Sequence, residues 1–211
     1  MTAVTSGIPA GTLLSEAGTR RAGDRIDGLL GILDHAFGAW RIHPVGAVRF
    51  TTDNPRPPAL QRQGPWRLAG FNVENYFLSR DGRGPPTVAG FRAQRRRLAD
   101  AVAALDADIL ALQEIEDRPE AVRDLVAAVN AGLQEPRRYR AAAAGLSRDE
   151  SVIRNALLYR PARLEPVEVA LDDAPVHDRA PVAAVFRDRE GRRARVVSVH
   201  FKSRGGCPGH G

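Results

Sequence analysis

Proline divides this chain. Between Asp53 and Pro65 stand Asn54-Pro55-Arg56-Pro57-Pro58 and then Gly64-Pro65. Proline fixes φ and lacks a backbone N–H, so a cluster of them cannot sit inside a helix or a central strand. Residues 53–65 therefore read as a linker and as the domain boundary of the chain. With 211 residues there is length for one domain, or one domain plus a fragment. A composition of 43% hydrophobic and 27% charged residues is that of a globular protein able to build a core.

Before the linker the signals are short. Residues 1–18 are small and polar, show no period and stay unassigned. From Asp24 to Phe50, brief apolar runs (Ile26, Leu29, Leu30, Ile32, Leu33, then Ala36-Phe37-Gly38-Ala39-Trp40-Arg41-Ile42) are broken by Gly and Asp. They predict two or three β-strands joined by tight turns, a unit that is marginal without more strands to pack on. After the linker, Arg67–Val73 reads as a strand, and Phe91–Leu105 as an amphipathic helix with Phe91, Leu98, Val102 and Leu105 on one stripe. Asp108–Ile115 reads as a buried strand. Pro119–Leu133 reads as a second helix, proline suiting its first turn. Strands are expected near 138–143, 152–159, 164–170, 182–186 and 194–201. This order predicts a mixed α/β sheet with helices packed on it.

The formal net charge is +6, which favours approach to a phosphate backbone. Lys202 is the only lysine, so 30 of the 31 basic residues are arginine. Abundant Ala, Gly, Pro and Arg also follow from GC-rich coding, so charge alone does not identify a partner. No apolar run approaches the roughly 20 residues that span a bilayer. Met1–Arg20 lacks the basic start and apolar core of a signal peptide. Cys207 is the single cysteine, so no disulfide forms within the chain. It reads either as a free thiol on a loose tail or as one whose partner lay downstream.

Four segments could carry chemistry. Phe71-Asn72-Val73-Glu74-Asn75 ends a strand in polar residues, where α/β sites commonly form; Asn is equally a turn former. Leu110-Ala111-Leu112-Gln113-Glu114-Ile115-Glu116 runs a buried strand into a carboxylate. Glu114 either begins a solvated loop or needs a cation or strong donors beside it, and a hard divalent ion is one such cation. Val196-Val197-Ser198-Val199-His200-Phe201-Lys202-Ser203 places His200 and Lys202 on one strand face and Phe201 on the other. Such a histidine can bond a phosphate oxygen, move a proton or be structural. Arg179, in His177-Asp178-Arg179-Ala180-Pro181, could hold a phosphate bidentately. The run Arg95-Arg96-Arg97 is expected on the solvated side of its helix.

Taken in order, these pieces resemble the endonuclease/exonuclease/phosphatase family, the DNase I-like group, over about residues 66–211. The carriers are Phe71-Asn72-Val73-Glu74-Asn75-Tyr76-Phe77, Leu112-Gln113-Glu114-Ile115-Glu116, Ala156-Leu157-Leu158-Tyr159-Arg160-Pro161, Arg179-Ala180-Pro181 and His200-Phe201-Lys202-Ser203. Within the family the chain is most similar to the large bacterial extracellular nucleases, where an OB-like module often precedes the nuclease domain. Gly31–Pro44 and Asn54-Pro55-Arg56-Pro57 look like the tail of such a module and its linker. The resemblance thus implies a DNase I-like α/β sandwich over 66–211, incomplete at its C-terminus, a β remnant of the OB-like module over 19–52, and the linker between them.

The resemblance also implies metal-assisted phosphodiester hydrolysis. Glu114 would be a ligand of a divalent ion, Mg²⁺ first and Mn²⁺ or Ca²⁺ as alternatives. Asn72 would orient the metal or a phosphate oxygen, and His200 would contact the scissile phosphate. Arg179, Lys202 and Tyr159 would bind or support the phosphate. Nucleic acid, DNA or RNA, is the implied partner, and relatives of this layout are typically extracellular. The family's Gly-Asp-x-Asn and Ser-Asp-His segments do not occur in the chain, which ends eleven residues after His200. The expectation is therefore a truncated domain, inactive alone, without its pairing sheet and with the partner of Cys207 lost. The alternatives are a phosphatase or phospholipase of the same superfamily, or a non-catalytic half that needs a separately encoded C-terminal fragment.

Overall fold

A computed structural model describes residues 21–46, 48–55, 57–58, 61–79, 83–143 and 152–202. Residues 1–20, Ser203 and Cys207 lie outside the described residues. The chain divides into two units, residues 1–60 and 61–211.

The first unit holds two antiparallel pairs. β1 (Arg25–Ile26) pairs with β4 (Phe50–Thr51), and β2 (Gly31–Ala36) pairs with β3 (Ala39–Pro44). The β2–β3 turn is Phe37-Gly38, both left-handed at φ 55° and 73°, as a two-residue hairpin loop requires. His35 and Trp40 stack across the hairpin with centroids 4.9 Å apart. Two or three strands were expected here, and the structure has four short ones.

In the second unit, a four-stranded sheet has the order β5-β6-β8-β7, formed by Leu68–Tyr76, Ile109–Glu116, Ile153–Tyr159 and Arg140–Ala141. β5 and β6 are parallel and the other pairs antiparallel. A parallel pair needs a crossover, and α1 (Val88–Leu105) supplies it between them. Thr87 caps α1 by accepting from Gly90 N–H at 3.0 Å. α2 (Pro119–Ala131) opens on its proline. Both helices bury one stripe (Leu98 and Val102, then Val122, Leu125 and Val129) against Val73, Leu110, Leu112 and Leu158 of the sheet. No helix among the described residues is long and apolar enough to cross a membrane.

The other face of that sheet is covered too. β9 (Leu164–Leu171), β10 (Val182–Asp188) and β11 (Arg193–Ser198) form an antiparallel sheet of order β11-β10-β9. Leu164, Val182, Ala184, Phe186 and Val196 pack on Ile109, Leu157 and Tyr159 of the first sheet. The sequence reading left this half without a facing sheet; alternation in these late strands builds one from within the chain. Two further expectations change. β11 ends at Ser198, so His200 and Phe201 leave the strand instead of alternating across it. Arg95 is half-buried and paired: it bonds Asp124 of α2 at 2.9 Å, and Tyr76 O–H donates to the same carboxylate. Arg96 and Arg97 are exposed as expected.

At the start of β6 sits Asp108, a carboxylate with no exposure. It accepts from Arg62 Nη1 at 2.5 Å, Arg67 N–H at 2.8 Å, and pairs with Arg163 Nε at 2.9 Å. Removing one member of a buried ion pair leaves charge behind and costs several kcal/mol. Asp108→Ala is expected to lower stability by about 3 kcal/mol, the low end because Arg62 and Arg163 still reach water. Urea denaturation of the two proteins checks this, and an unchanged midpoint would show that Asp108 is not a keystone.

Candidate functional site

The site lies where β5 and β6 stop pairing regularly. Asn72 pairs with Gln113 and Tyr76 with Ile115, so Val73, Glu74 and Asn75 stand opposite Glu114 alone. On the other side Leu112 pairs with Ala156 and Ile115 with Arg154, so Gln113 and Glu114 oppose the single residue Asn155. Both strands therefore bulge at one level, and bulges re-aim side chains. Glu74, Asn75 and Glu114 are all left-handed, at φ 57°, 53° and 66°. That region is unfavourable for residues with a Cβ, and such strain clusters at functional positions.

The strain presents the Glu114 carboxylate at the strand end. Oε1 accepts from Asn72 Nδ2 at 2.7 Å and Oε2 from Asn75 N–H at 3.1 Å. Asn72 Oδ1 accepts in turn from Glu74 N–H at 2.8 Å, fixing which way the amide faces. His200 Nε2 lies 3.6 Å from Glu114 Oε1. The donors to this carboxylate are the Asn72 side-chain amide and the Asn75 backbone amide, with the His200 imidazole nearby. The carboxylates of Asp108 and Glu114 thus differ: Asp108 is ringed by arginines, and Glu114 has no arginine or lysine pair among the described residues.

The structure brings Asn72, Glu114 and His200 together. Arg179 precedes Ala180, whose carbonyl accepts from the buried Asn155 Nδ2 at 2.9 Å, on the strand next to Glu114. Its Nη1 is buried without a hydrogen bond among the described residues. Lys202 is exposed, two residues beyond His200. Tyr159 is not brought to the site. It pairs with Ile109, five residues before Glu114 and about 16 Å away along the strand, and it packs on Phe186 in the core between the sheets.

Three residues not singled out in the sequence organise the neighbourhood. Gln113 Nε2 donates to Ser198 Oγ at 3.1 Å, and Ser198 Oγ donates to Leu112 O at 3.0 Å. These bonds pin the end of β11, two residues from His200, to the strand of Glu114. Asn155 is the third. Its signal in the sequence is a lone amide inside Ile153-Arg154-Asn155-Ala156-Leu157-Leu158-Tyr159.

No group of three or more His, Cys, Asp or Glu side chains suited to a metal occurs among the described residues. A hard ion such as Mg²⁺ is commonly held by one or two carboxylates with waters and substrate phosphates completing its shell. One oriented carboxylate amid neutral oxygen and nitrogen groups fits that donor set.

Two stacked sheets with helices on one outer face, and polar side chains gathered at the end of the first sheet, make this a DNase I-like α/β sandwich. Residues 69–208 match the Endonuclease/Exonuclease/phosphatase family, and the chain belongs to that family. Among solved structures it is similar to D. rerio TDP2 humanised by 14 mutations (16% identity, TM-score 0.42, 63% of this chain and 45% of that one). It is also similar to D. rerio TDP2 complexed with single-strand DNA product (16%, 0.40, 63% and 44%). A third is the human Nocturnin catalytic domain with bound sulfate (19%, 0.48, 72% and 58%). The chain spans about half the length of these structures. No curated protein matches it.

Glu116, two residues past Glu114, ties the loop after β5 to the end of β6. It accepts from Leu78 N–H at 2.7 Å and Ser79 N–H at 3.1 Å and pairs with Arg118. Burial pushes its carboxyl up, but Ser79, Leu78 and Arg118 outweigh burial and hold it below the usual range. The fold thus favours the ionised form. Its contribution is complete above the unfolded value of about 4.3 and is lost as pH falls through that value toward the lower folded one. Thermal melts from pH 7 to 3 should show an acid limb that Glu116→Gln flattens; an unchanged limb would assign it to other carboxylates.

Proposed function

We infer that the second unit carries the metal- and phosphate-binding part of a metal-dependent phosphodiester hydrolase site, with nucleic acid as its substrate class. The observation that carries this reading is the Glu114 carboxylate, held out on a left-handed residue by Asn72 and Asn75 and 3.6 Å from His200. Glu114 is the ligand for Mg²⁺, or for Mn²⁺ or Ca²⁺ in its place. A divalent ion there supplies Lewis-acid charge to a phosphate oxygen. Asn72 fixes the carboxylate's orientation. His200 donates to the scissile phosphate, where a hydrogen bond to developing charge counts most. Arg179 holds a phosphate oxygen, and Lys202 adds positive charge at the rim.

The net charge of +6 favours a polyanionic substrate. Residues 19–52 are taken as a piece of an OB-like β module, joined through the proline-rich linker 53–65. Hydrolysis also needs a group that orients water and a general base. Gly-Asp-x-Asn and Ser-Asp-His would supply them, and the 211 residues contain neither. The 211 residues by themselves are therefore read as binding metal and phosphodiester with little or no hydrolysis.

Mn²⁺ titration followed by electron paramagnetic resonance tests the first half of this reading. Glu114→Gln, which keeps the shape and removes the charge, is expected to weaken Mn²⁺ binding by more than about tenfold; equal affinity would refute the ligand assignment. A panel of plasmid DNA, RNA, a phospholipid and a sugar phosphate tests the second. Little turnover is expected on any of them. Robust metal-dependent cleavage that Glu114→Gln abolishes would overturn the weak-activity claim, and turnover of the lipid or sugar phosphate alone would overturn the substrate class.

A further inference from the structure

Three amide side chains stand on adjacent strands at the level of the double bulge. Asn72 on β5 is the register partner of Gln113 on β6, and Asn155 on β8 faces the Gln113–Glu114 bulge. Each donates to a different arm of the site. Asn72 Nδ2 reaches the Glu114 carboxylate at 2.7 Å, and Gln113 Nε2 reaches Ser198 Oγ, on the strand leading to His200, at 3.1 Å. Asn155 Nδ2 reaches the Ala180 carbonyl, beside Arg179, at 2.9 Å.

We propose that Asn155 is a positioning residue that sets the Arg179 guanidinium relative to Glu114. This rests on the reading of Arg179 as a phosphate-binding group. Asn155 is fully buried in a strand that is otherwise almost wholly apolar on that face, alongside Leu157 and Tyr159. Burying an amide costs free energy unless its groups are bonded, and the bond from Nδ2 offsets part of that cost. The bond it makes is to the segment that carries Arg179. That segment closes the connection between β9 and β10, where Asp172 N–H donates to Pro181 O at 3.0 Å and His177 pairs with Asp172 at 3.0 Å. Those contacts shape the loop, and the Asn155 bond ties Ala180 to the strand opposite Glu114. Arg179 Nη1 is buried with no hydrogen bond among the described residues, a charge-bearing donor turned inward. Asn155 Oδ1 is likewise without a partner there, so the amide's one bond in the described structure is the one to Ala180.

The test measures two affinities on the full chain. One is for inorganic phosphate in the presence of Mg²⁺, by ³¹P NMR; the other is for Mn²⁺ alone. Arg179→Ala is expected to weaken phosphate binding by about tenfold, the weight of a hydrogen bond to a charged group. Asn155→Leu, which is similar in shape and cannot donate, is expected to weaken it comparably while leaving Mn²⁺ affinity unchanged. The double variant is expected to lose no more than either alone, because both act through one guanidinium. Asn155→Ser, smaller and still able to donate, is expected to recover part of the loss, and it carries the test if Asn155→Leu does not fold. Full phosphate affinity in Asn155→Leu, additive losses in the double variant, or a parallel loss of Mn²⁺ affinity would each overturn the positioning role while the phosphate role of Arg179 stands. An Arg179→Ala protein that binds phosphate normally would overturn both.

Discussion

The second unit depends on how Asp108 is answered. A carboxylate with no exposure at the start of a central strand would be costly if unpaired. Arg62, the Arg67 amide and Arg163 converge on it, and Asp108's own carbonyl accepts from Arg160 N–H at 2.9 Å. These contacts come from the segment entering β5 and from the turn leaving β8, so one side chain fixes both neighbours of β6 at the same level. From there β6 runs as an apolar ladder to Glu114, about 20 Å further along. Two carboxylates, Asp108 entering this strand and Glu114 near its end, thus have opposite settings. Asp108 is neutralised by cations and serves the fold. Glu114 is oriented by the Asn72 amide and the Asn75 N–H, with no arginine or lysine pair among the described residues.

The local cost at Glu114 is met by bonds that hold the distortion in place. Three left-handed residues with side chains cost about 1 kcal/mol or more each. Asn72 counters this from within β5, accepting from Glu74 N–H and donating to Glu114. Gln94 of α1 counters it from the helix layer, donating to Val73 O at 3.2 Å and Glu74 O at 2.7 Å. The helix is itself tied down by the Arg95–Asp124 pair and by Tyr76, which bonds the same carboxylate. Burial raises the Asp124 carboxyl, and Arg95 and Tyr76 outweigh that and hold it low. The chain of support therefore runs from helix–helix pairing, through Gln94, to the bulge that aims Glu114.

Periodicity made the two helices and the strands of the second unit legible, because their apolar residues recur at the spacing of the face they bury. Asn72, Glu114 and His200 were legible for a different reason: each sits where an apolar run breaks into polar residues. What stayed hidden depends on register. Tyr159 stands in a motif of the family, yet antiparallel pairing carries it to the Ile109 end of β6, and no local pattern encodes that pairing. Arg95 looked like one of three solvated arginines because its partner, Asp124, is 29 residues away. Gln113, Asn155 and Ser198 were unremarkable in sequence because their roles arise only when β6, β8 and β11 lie side by side. The end of β11 was overrun for a related reason, since Val199-His200-Phe201 continues a β-like pattern after the ladder to β10 has stopped.

The same distinction separates charge as composition from charge as function. An excess of arginine suggests a cationic surface, but in the second unit many arginines are spent on carboxylates: Arg95 on Asp124, Arg160 on Asp106, Arg187 on Glu165, Arg192 on Asp188 and Arg195 on Glu168. Arg192 and Trp66 even share one acceptor, Asp188, at the far end of the sheets from Glu114. The exposed pairs among them, Arg187–Glu165 and Arg195–Glu168, add little stability and little field, because water screens them. Arg179 differs: its Nη1 is buried without a hydrogen bond among the described residues. In the proposed reading the bond from Asn155 to the Ala180 carbonyl sets that cation from the sheet, whereas the paired arginines elsewhere answer carboxylates.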